Sequence, residues 1–378
     1  MKVYLDNAAT TPIDPQVIDA MIPIMKDQFG NPSSIHSYGR TVKAHLEQSR
    51  KTIASLLNCA PSEIFFTSGG TEANNMAIGG AIRDLGVRHI ITSAIEHHAV
   101  LHTAEFKHQY DQVRLSFVKL LPNGHIDLQD LEQLLANNEK SLVSLMHANN
   151  EVGNLLPMQA VADLCNQYNA IFHSDTVQTM GHYAFDLQKT KVHFLTCAAH
   201  KFHGPKGVGF LYISSDVKIK PFIFGGAQER NMRGGTENVY GIVGLAKALT
   251  LCYQHLNEHT QHISQLKNYM AAQLQAIIPD IKFNGDCTGQ ALYTVLNVSF
   301  PQSEYNETIL FNLDMAGIAC SGGSACSSGS NVGSHVLGAL GVDPSRANVR
   351  FSFSKFTTKA EIDFTLQAIK ELFLANVS

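Results

Sequence analysis

Two segments decide the fold of this chain: SDTVQTMGH at 174–182 and FLTCAAHKFHGPKGVGF at 194–210. Asp175 ends one apolar, strand-like run, and Lys201 follows a second such run, Val192 to Cys197. Short apolar runs bounded by polar turns are consistent with buried strands. We therefore predict an acid and a lysine at the ends of neighbouring strands.

An acid and a lysine in this arrangement are what a pyridoxal phosphate enzyme requires. The lysine forms a Schiff base with the cofactor, and Asp175 keeps the pyridine nitrogen protonated so that the ring accepts electrons. Apolar and histidine neighbours argue against a solvated Lys201, and desolvation helps an amine to act as nucleophile and base. Lys206 is the alternative, but its Pro-Lys-Gly setting indicates a turn with an exposed side chain. We therefore predict Lys201 as the catalytic lysine.

The composition describes a large globular protein. Its 378 residues exceed a typical single domain, so we expect one large and one smaller domain. A hydrophobic content of 44% supplies an ample core, and a net charge of −4 gives no reason to invoke nucleic acid or a membrane surface. The sequence contains no transmembrane-length apolar run and no signal-peptide pattern at its start. A cytoplasmic location is therefore expected.

Helical and strand-like patterns alternate along most of the chain. Helices are predicted at 14–27 and 37–57, and the βα rhythm that follows predicts an α/β fold with a mainly parallel sheet. The pattern becomes persistently helical at 236–274, and strands follow near 292–299 and 348–353. This change predicts a smaller α+β C-terminal domain. The predicted boundaries are 14–255 for the large domain and 256–378, with the N-terminal segment 1–13, for the small one.

Seven scattered cysteines, an odd number, do not form a disulfide framework. Most of them fall in or beside apolar or helical segments, whereas Cys287 lies in a polar turn, where an exposed side chain need not have a role. Cys326 differs, because SGGSACSSGS at 321–330 surrounds it with serine and glycine. This composition favours mobility over packing. On composition alone, an ordinary surface loop and a loop with a functional cysteine are equally good interpretations.

The turn Ser68-Gly69-Gly70-Thr71 separates a short predicted strand from a predicted helix. Such a turn exposes backbone N–H groups at the positive end of the helix dipole, where phosphate binds readily. The motif is weak alone and gains weight because a pyridoxal phosphate site needs a phosphate cradle. The histidines at 97–98 and 200–203 lack zinc-site spacing, so no metal is predicted. His97 has an alternative use as a flat ring that packs on the cofactor and moves protons.

Many further segments resemble one known family in the same order along the chain. The chain is similar to group I cysteine desulfurases (NifS/IscS-like), pyridoxal phosphate enzymes of fold type I in the class-V aminotransferase family. This resemblance implies a large domain with a sheet of the seven-stranded type. The matching segments include YLDNAATTP at 4–12, FGNPSSIHSYGR at 29–40, FTSGGTEANN at 66–75, IEHHAVL at 95–101, MHANNEVG at 146–153, GGAQERNMRGGTENV at 225–239, GIACSGGSACSSGS at 317–330 and ANVRFSFSKFTT at 347–358.

The resemblance implies a role for each matching residue. Lys201, Cys326 and His97 are the catalytic residues, with Cys326 as the sulfur acceptor and His97 stacked on the cofactor ring. Asn150 and Arg350 bind the substrate carboxylate, Arg350 through a two-pronged contact. Thr236 reaches the phosphate of a neighbouring subunit, which implies a homodimer. The implied cofactor-binding residues are Gly70, Thr71, His97, Asn150, Asp175, Gln178, His200, Lys201 and Thr236.

One position departs from the family pattern. Relatives usually have a serine three residues before the lysine, with its hydroxyl on the phosphate, whereas this chain has Ala198. A hydrogen bond to a charged group is worth ~1.5–3 kcal/mol. We therefore expect weaker cofactor retention unless Thr196 or a water takes the place of the serine.

The implied reaction removes sulfur from L-cysteine, leaving L-alanine and a persulfide on Cys326. The persulfide then supplies an acceptor or scaffold protein for iron-sulfur cluster or thio-cofactor synthesis, and the sequence does not identify which. Three alternatives stay open. A selenocysteine lyase shares the fold and cofactor, an aminotransferase has no need of Cys326, and a non-enzymatic scaffold or sulfur-relay protein with a vestigial site would be colourless.

Overall fold

The structure, a computed structural model, describes residues 1–136, 139–287, 289–322 and 333–374. Strands and helices alternate along the first two thirds of the chain, as the sequence predicts. The strands are β1 (Val3–Tyr4), β2 (Ile64–Thr67), β3 (His89–Thr92), β4 (Arg114–Phe117), β5 (Ser141–Ser144), β6 (Ile171–Asp175), β7 (Phe194–Ala198), β8 (Gly209–Ile213), β9 (Lys282–Phe283), β10 (Val295–Phe300), β11 (Ile318–Ala319) and β12 (Ala347–Ser352). The helices are α1 (Pro15–Asp27), α2 (Ser37–Leu57), α3 (Gly70–Leu85), α4 (His98–Asp111), α5 (Leu128–Leu135), α6 (Met158–Gln167), α7 (Val239–Gln254), α8 (Leu256–Ile277), α9 (Ile309–Met315), α10 (His335–Ala339) and α11 (Lys359–Leu374).

The largest sheet has seven strands in the order β2-β8-β7-β6-β5-β3-β4. The five strands from β7 to β4 are parallel, whereas β8 runs antiparallel to both of its neighbours. Strands β6 and β7 are buried along their whole length, which explains why their sequences are apolar runs without alternation. The predicted α/β fold with a mainly parallel sheet is confirmed.

A smaller antiparallel sheet has the order β12-β10-β9, and β1 pairs with β11 in a separate two-stranded sheet. Apolar residues of β10, β12, α8 and α11 form one buried cluster on this part of the molecule. Val3 and Leu5 belong to the same cluster, so the first residues of the chain pack with the last third of it. The predicted division into two domains, with residues 1–13 grouped with the small one, stays a prediction.

Local signals fix several helix ends. The Asp14 carboxylate accepts from the backbone N–H of Gln16 at 2.8 Å, and Pro15 opens α1. Helix α3 begins at Gly70, two residues before the predicted start, because Gly69 has a φ of +151° and the chain turns there into the helix. Within the described residues, no helix combines the length and apolarity needed to cross a membrane.

The described cysteines are all free thiols. Cys287, in its polar turn, is 8% exposed because it packs into the cluster beneath β10 and α8. Cys165, Cys197 and Cys252 are buried, as predicted. Cys326 lies outside the described residues.

Candidate active site

A cavity of about 260 Å³ opens at the carboxyl ends of β6 and β7, beside the N-terminus of α3. This position is the usual ligand site of parallel α/β sheets. Nine predicted site residues line the cavity together: Gly70, Thr71, His97, Asn150, Asp175, Gln178, His200, Lys201 and Arg350.

Lys201 lies on the single helical turn Ala199–Lys201 that follows β7. Its Nζ donates to the carbonyl oxygens of Ala8 and Ala9, each at 2.7 Å. These carbonyls hold the amine at the cavity wall without neutralising it. Lys206, the alternative lysine, is exposed and does not line the cavity. The geometry therefore favours Lys201 over Lys206.

Asp175 is the last residue of β6 and is 6% exposed. Its Oδ2 accepts from Asn74 Nδ2 at 2.7 Å, and its Oδ1 accepts from the N–H of Val177 at 2.9 Å. These contacts fix the carboxylate at the cavity wall. Asn74 was not predicted as a site residue, although it lies in FTSGGTEANN, one turn into the helix that follows the glycine turn.

The glycine turn lets the side chain of Val177 pack closely against the backbone at Gly70. A Cβ added at Gly70 would lie 2.8 Å from Val177 Cγ2, so a larger residue would not fit there. Glu72 Oε2 accepts from the N–H of Ser68 at 2.9 Å, and the same carboxylate pairs with Arg233. The turn is thus held rigid at the start of α3, where backbone N–H groups suit an anion.

Thr196 does not replace the missing serine. Its hydroxyl lies 3.1 Å from His173 Nε2, is fully buried and does not line the cavity. Ala198 does line the cavity and offers only a methyl group. Of the two substitutes that the sequence analysis considered, Thr196 is therefore excluded by its position.

His97 and His200 line the cavity as neutral imidazoles. His97 caps α4, because its Nδ1 accepts from the N–H of Ala99 at 3.1 Å, and burial lowers its pKa. Burial also lowers the pKa of His200 to about 4. The cap leaves the proton of the neutral His97 ring on Nε2. Gln178 Nε2 donates to the carbonyl of Ala8 at 3.0 Å.

Arg350 comes from β12, in the smaller sheet, and is 1% exposed. Its Nη1 donates to the carbonyl of Asn150 at 2.9 Å, and its Nη2 pairs with Asp6 Oδ1 at 2.8 Å. Its Nε finds no hydrogen-bond acceptor among the described residues. A buried, partly unpaired guanidinium at a cavity wall is suited to a carboxylate.

Two predicted site residues are not brought into this cavity. Thr236 is exposed and lines a neighbouring pocket with Ser68, Gly207 and Arg233. Cys326 belongs to the part of the chain that the structure does not describe. No group of three or more metal-ligating side chains occurs within the described ranges.

The residues present fit pyridoxal phosphate. An amine, a carboxylate on the neighbouring strand end and a helix N-terminus open on one cavity. Lys201, Asp175 and Gly70 would hold the aldehyde, pyridine and phosphate parts, respectively. This donor set is the one that pyridoxal phosphate chemistry demands.

Comparisons with known proteins agree with this geometry. A family model described as aminotransferase class-V matches residues 3–364. The chain belongs to this family. Its members depend on pyridoxal phosphate, so the predicted cofactor is confirmed.

Several known proteins are similar to this chain over almost their whole length. The cysteine desulfurase IscS of Dictyoglomus turgidum is 41% identical, with 98% of this chain and 94% of the relative covered. The putative cysteine desulfurase IscS 1 of Bacillus subtilis is 43% identical, with 96% of both chains covered. A solved NifS-like protein superposes with a TM-score of 0.92 at 36% identity, covering 99% of this chain and 100% of the other. A structure of SspA in complex with cysteine gives a TM-score of 0.81 at 32% identity, with 95% and 100% covered.

Proposed function

We propose that the protein is a pyridoxal phosphate-dependent cysteine desulfurase that converts L-cysteine into L-alanine and an enzyme-bound persulfide. The relatives named cysteine desulfurase bear out the enzyme class. The observation that carries the proposal is the single cavity shared by Lys201, Asp175 and Arg350. An amine, a carboxylate and a buried guanidinium on one cavity suit a small amino acid bound beside the cofactor.

The cavity residues divide the work on the substrate. When bound, the cofactor withdraws electrons from the substrate Cα and so makes its proton acidic. Arg350 and Asn150 orient the substrate carboxylate, Arg350 through the N–H groups that Asp6 and Asn150 leave free. Lys201 Nζ takes the Cα proton and holds it as an ammonium. His97, neutral with its proton on Nε2, shields the ring from water and passes protons.

The sulfur step requires a thiolate, and Cys326 is the candidate. Its thiolate attacks the substrate sulfur, the substrate C–S bond breaks, and the carbon fragment becomes L-alanine. Burial raises the pKa of each of the six described cysteines above the ordinary value, among them Cys320 and Cys59 to about 12. Because these six thiols stay protonated near neutral pH, they are poor nucleophiles. This supports Cys326 as the persulfide carrier.

The functional unit in this proposal is a cytoplasmic homodimer in which Thr236 reaches the phosphate of the partner's site. Thr236 is exposed and lies next to the glycine turn, in the pocket that also contains Ser68. Large apolar side chains are exposed on α1 and after it, among them Phe29 at 76% and Ile35 at 90%. Such exposure on a folded protein marks an interaction surface. An active monomer in sedimentation at assay concentration would exclude the homodimer.

The sulfur acceptor in this proposal is a protein of iron-sulfur cluster or thio-cofactor synthesis. The IscS name of the relatives supports an acceptor of this kind. Supplying the persulfide to candidate acceptors and following transfer of labelled sulfur tests it. Transfer only to small thiols would contradict a dedicated acceptor.

The first experiment combines an absorbance spectrum with a product assay. Purified protein should absorb near ~400 nm, as a lysine-bound cofactor implies, and should release alanine from cysteine without an added keto acid. Colourless, inactive protein would support the non-enzymatic alternative, and dependence on a keto acid would support an aminotransferase. Much faster turnover of selenocysteine than cysteine would support the lyase.

A further inference from the structure

Asp6 was not predicted as a site residue, yet its carboxylate joins two parts of the molecule next to the cavity. Its Oδ1 accepts from Arg350 Nη2 at 2.8 Å and from Ser321 Oγ at 2.8 Å. Ser321 is tied to Arg350 a second time, by backbone hydrogen bonds in both directions. Asp6, Ser321 and Arg350 therefore form one closed set of contacts.

Arg350 needs a counter-charge because its side chain is 1% exposed. A buried guanidinium without a carboxylate partner is strongly destabilising. In the part of the chain that the structure describes, the recorded ion pair of Arg350 is with Asp6, whose side chain is 19% exposed. Asp6 therefore neutralises the arginine before any substrate arrives.

The contact with Asp6 uses only one edge of the guanidinium. Arg350 lines the cavity, and its buried Nε has no acceptor among the described residues. N–H donors thus remain for a second carboxylate, while Asp6 keeps its place on Nη2. Two carboxylates on one guanidinium repel each other across a short distance in a partly buried site.

We propose that Asp6 is a positioning residue that both orients Arg350 and limits the affinity of the site for amino-acid carboxylates. Orientation comes from the Oδ1 contact with Nη2, and the limit comes from the negative charge. A weaker hold on the carboxylate lets L-alanine leave after each turnover. The inference rests on the proposed function, because it takes the substrate carboxylate to bind Arg350.

The two effects of Asp6 are separable by substitution. Asp6→Asn keeps an oxygen that accepts from Arg350 and Ser321 but removes the charge. The holoenzyme with Asp6→Asn should bind L-alanine about tenfold more tightly than wild type, because one of two competing negative charges is gone. The KM for cysteine should fall by a similar factor, without a rise in kcat. Asp6→Ala, which also loses the orienting oxygen, should bind L-alanine at least about fivefold more weakly than Asp6→Asn.

The experiment is a titration of each holoenzyme with L-alanine, followed by the absorbance of the bound cofactor, together with a thermal melt. Asp280→Asn is the matched control, because Asp280 pairs with Arg346 at 2.7 Å outside the cavity and its loss should leave alanine affinity unchanged. If Asp6→Asn does not accumulate as folded protein, Asp6→Ser gives the same comparison with a second neutral acceptor.

The outcomes distinguish the inference from its alternatives. Unchanged or weaker alanine binding in Asp6→Asn, with a lowered Tm, would overturn the inference and leave Asp6 a structural residue. Tighter binding in Asp280→Asn as well would overturn it too, because the effect would then be general electrostatics. A wild-type protein that makes no alanine from cysteine would refute the proposed function, while the ratio of the alanine dissociation constants would still decide the role of Asp6.

Discussion

The two walls of the cavity are built in different ways. One wall, which we call the sheet wall, consists of Gly70, Asp175, Ala198 and Lys201, which lie at the ends of β6 and β7 and at the start of α3. The other, the arginine wall, consists of Arg350 on β12 with its partner Asp6. The sheet wall is a product of the seven-stranded sheet, whereas the arginine wall joins the first residues of the chain to β12, the last strand of the described residues.

This difference separates the residues proposed to carry out the chemistry from the residue proposed to bind the substrate carboxylate. The sheet wall presents an amine and a carboxylate, each held by neighbours. In the proposed function, Lys201 acts on the substrate Cα and Asp175 acts through the cofactor ring. In the proposed function, the arginine wall contacts only the carboxylate that every amino acid carries. We therefore expect changes in the sheet wall to reduce kcat and changes in the arginine wall to raise or lower KM.

The largest effect is expected from Lys201→Ala. Turnover should be abolished, because no other described side chain supplies an amine at this wall, and pyridoxal phosphate should bind only noncovalently. Lys206→Ala, an exposed lysine in the same segment, is the control and should keep normal activity. Full activity of Lys201→Ala, or borohydride labelling of Lys206, would contradict the assignment.

Cys326→Ser should stop sulfur transfer while leaving both walls intact. The variant should still change the cofactor spectrum on adding cysteine, yet release almost no alanine, because a serine hydroxyl stays protonated and is a poor nucleophile toward sulfur. Mass spectrometry after one turnover of wild type should find the persulfide on Cys326 alone. Cys320→Ser and Cys287→Ser are the controls and should behave like wild type. Persulfide on Cys320 would show that the wrong cysteine was chosen.

Arg350→Lys should raise the KM for cysteine by about 10- to 100-fold, with a smaller change in kcat. Lysine keeps the charge but loses the planar pair of donors that matches a carboxylate. Arg346→Lys is the matched control, since Arg346 forms its ion pair with Asp280 outside the cavity. A drop in kcat with unchanged KM would contradict the assignment of substrate binding to the arginine wall and of the chemical step to the sheet wall.

The sequence predicted the sheet wall well because its signals are local. Apolar runs fixed β6 and β7, and the residues directly after each run, Asp175 and Lys201, follow from strand ends meeting at one edge of a sheet. Strand positions elsewhere were also close, with β10 and β12 within three residues of their predicted starts. Helix α3 starts earlier than predicted because its first residue is Gly70, and a glycine in the sequence indicates a turn rather than a helix.

The arginine wall could be predicted only in part. The resemblance named Arg350, but the Asp6–Arg350 pair joins residues 344 positions apart, and no periodicity signals such a contact. The carbonyls of Ala8 and Ala9 that hold Lys201 are backbone groups, which the sequence does not mark. The burial of Cys287 was not predicted, because a polar turn gives no local sign that a core cluster lies beneath it.

Acid should destabilise the part of the molecule that carries the sheet wall. Burial lowers the pKa of His147, His173 and His182 to about 4, below the value near 6.5 of an unfolded chain. Between these values the unfolded state binds more protons, so stability is present above pH ~6.5 and is lost as the pH falls toward 4. In this pH range, each such histidine adds about 1.4 kcal/mol per pH unit to the slope of the free energy of unfolding against pH. Urea unfolding at pH 7.5 and pH 5 measures the loss, with His255→Gln, an exposed histidine, as the control. Equal free energies of unfolding at the two pH values would contradict the burial of these neutral rings.

The smallest effect is expected from restoring a hydroxyl to the sheet wall. Ala198→Ser should tighten the binding of pyridoxal phosphate by up to about tenfold, because a hydrogen bond to the charged phosphate adds ~1.5–3 kcal/mol before the cost of ordering the side chain. Ala198 lines the cavity beside the glycine turn, and a Cβ placed on Gly70 would be 3.8 Å from its methyl group, so the position is near the phosphate cradle. Equilibrium dialysis of the cofactor measures the change. Thr196→Val is the matched control, because its hydroxyl is engaged with His173 and its loss should leave cofactor affinity unchanged. Weaker binding in Thr196→Val, together with no gain in Ala198→Ser, would show that Thr196 holds the phosphate after all.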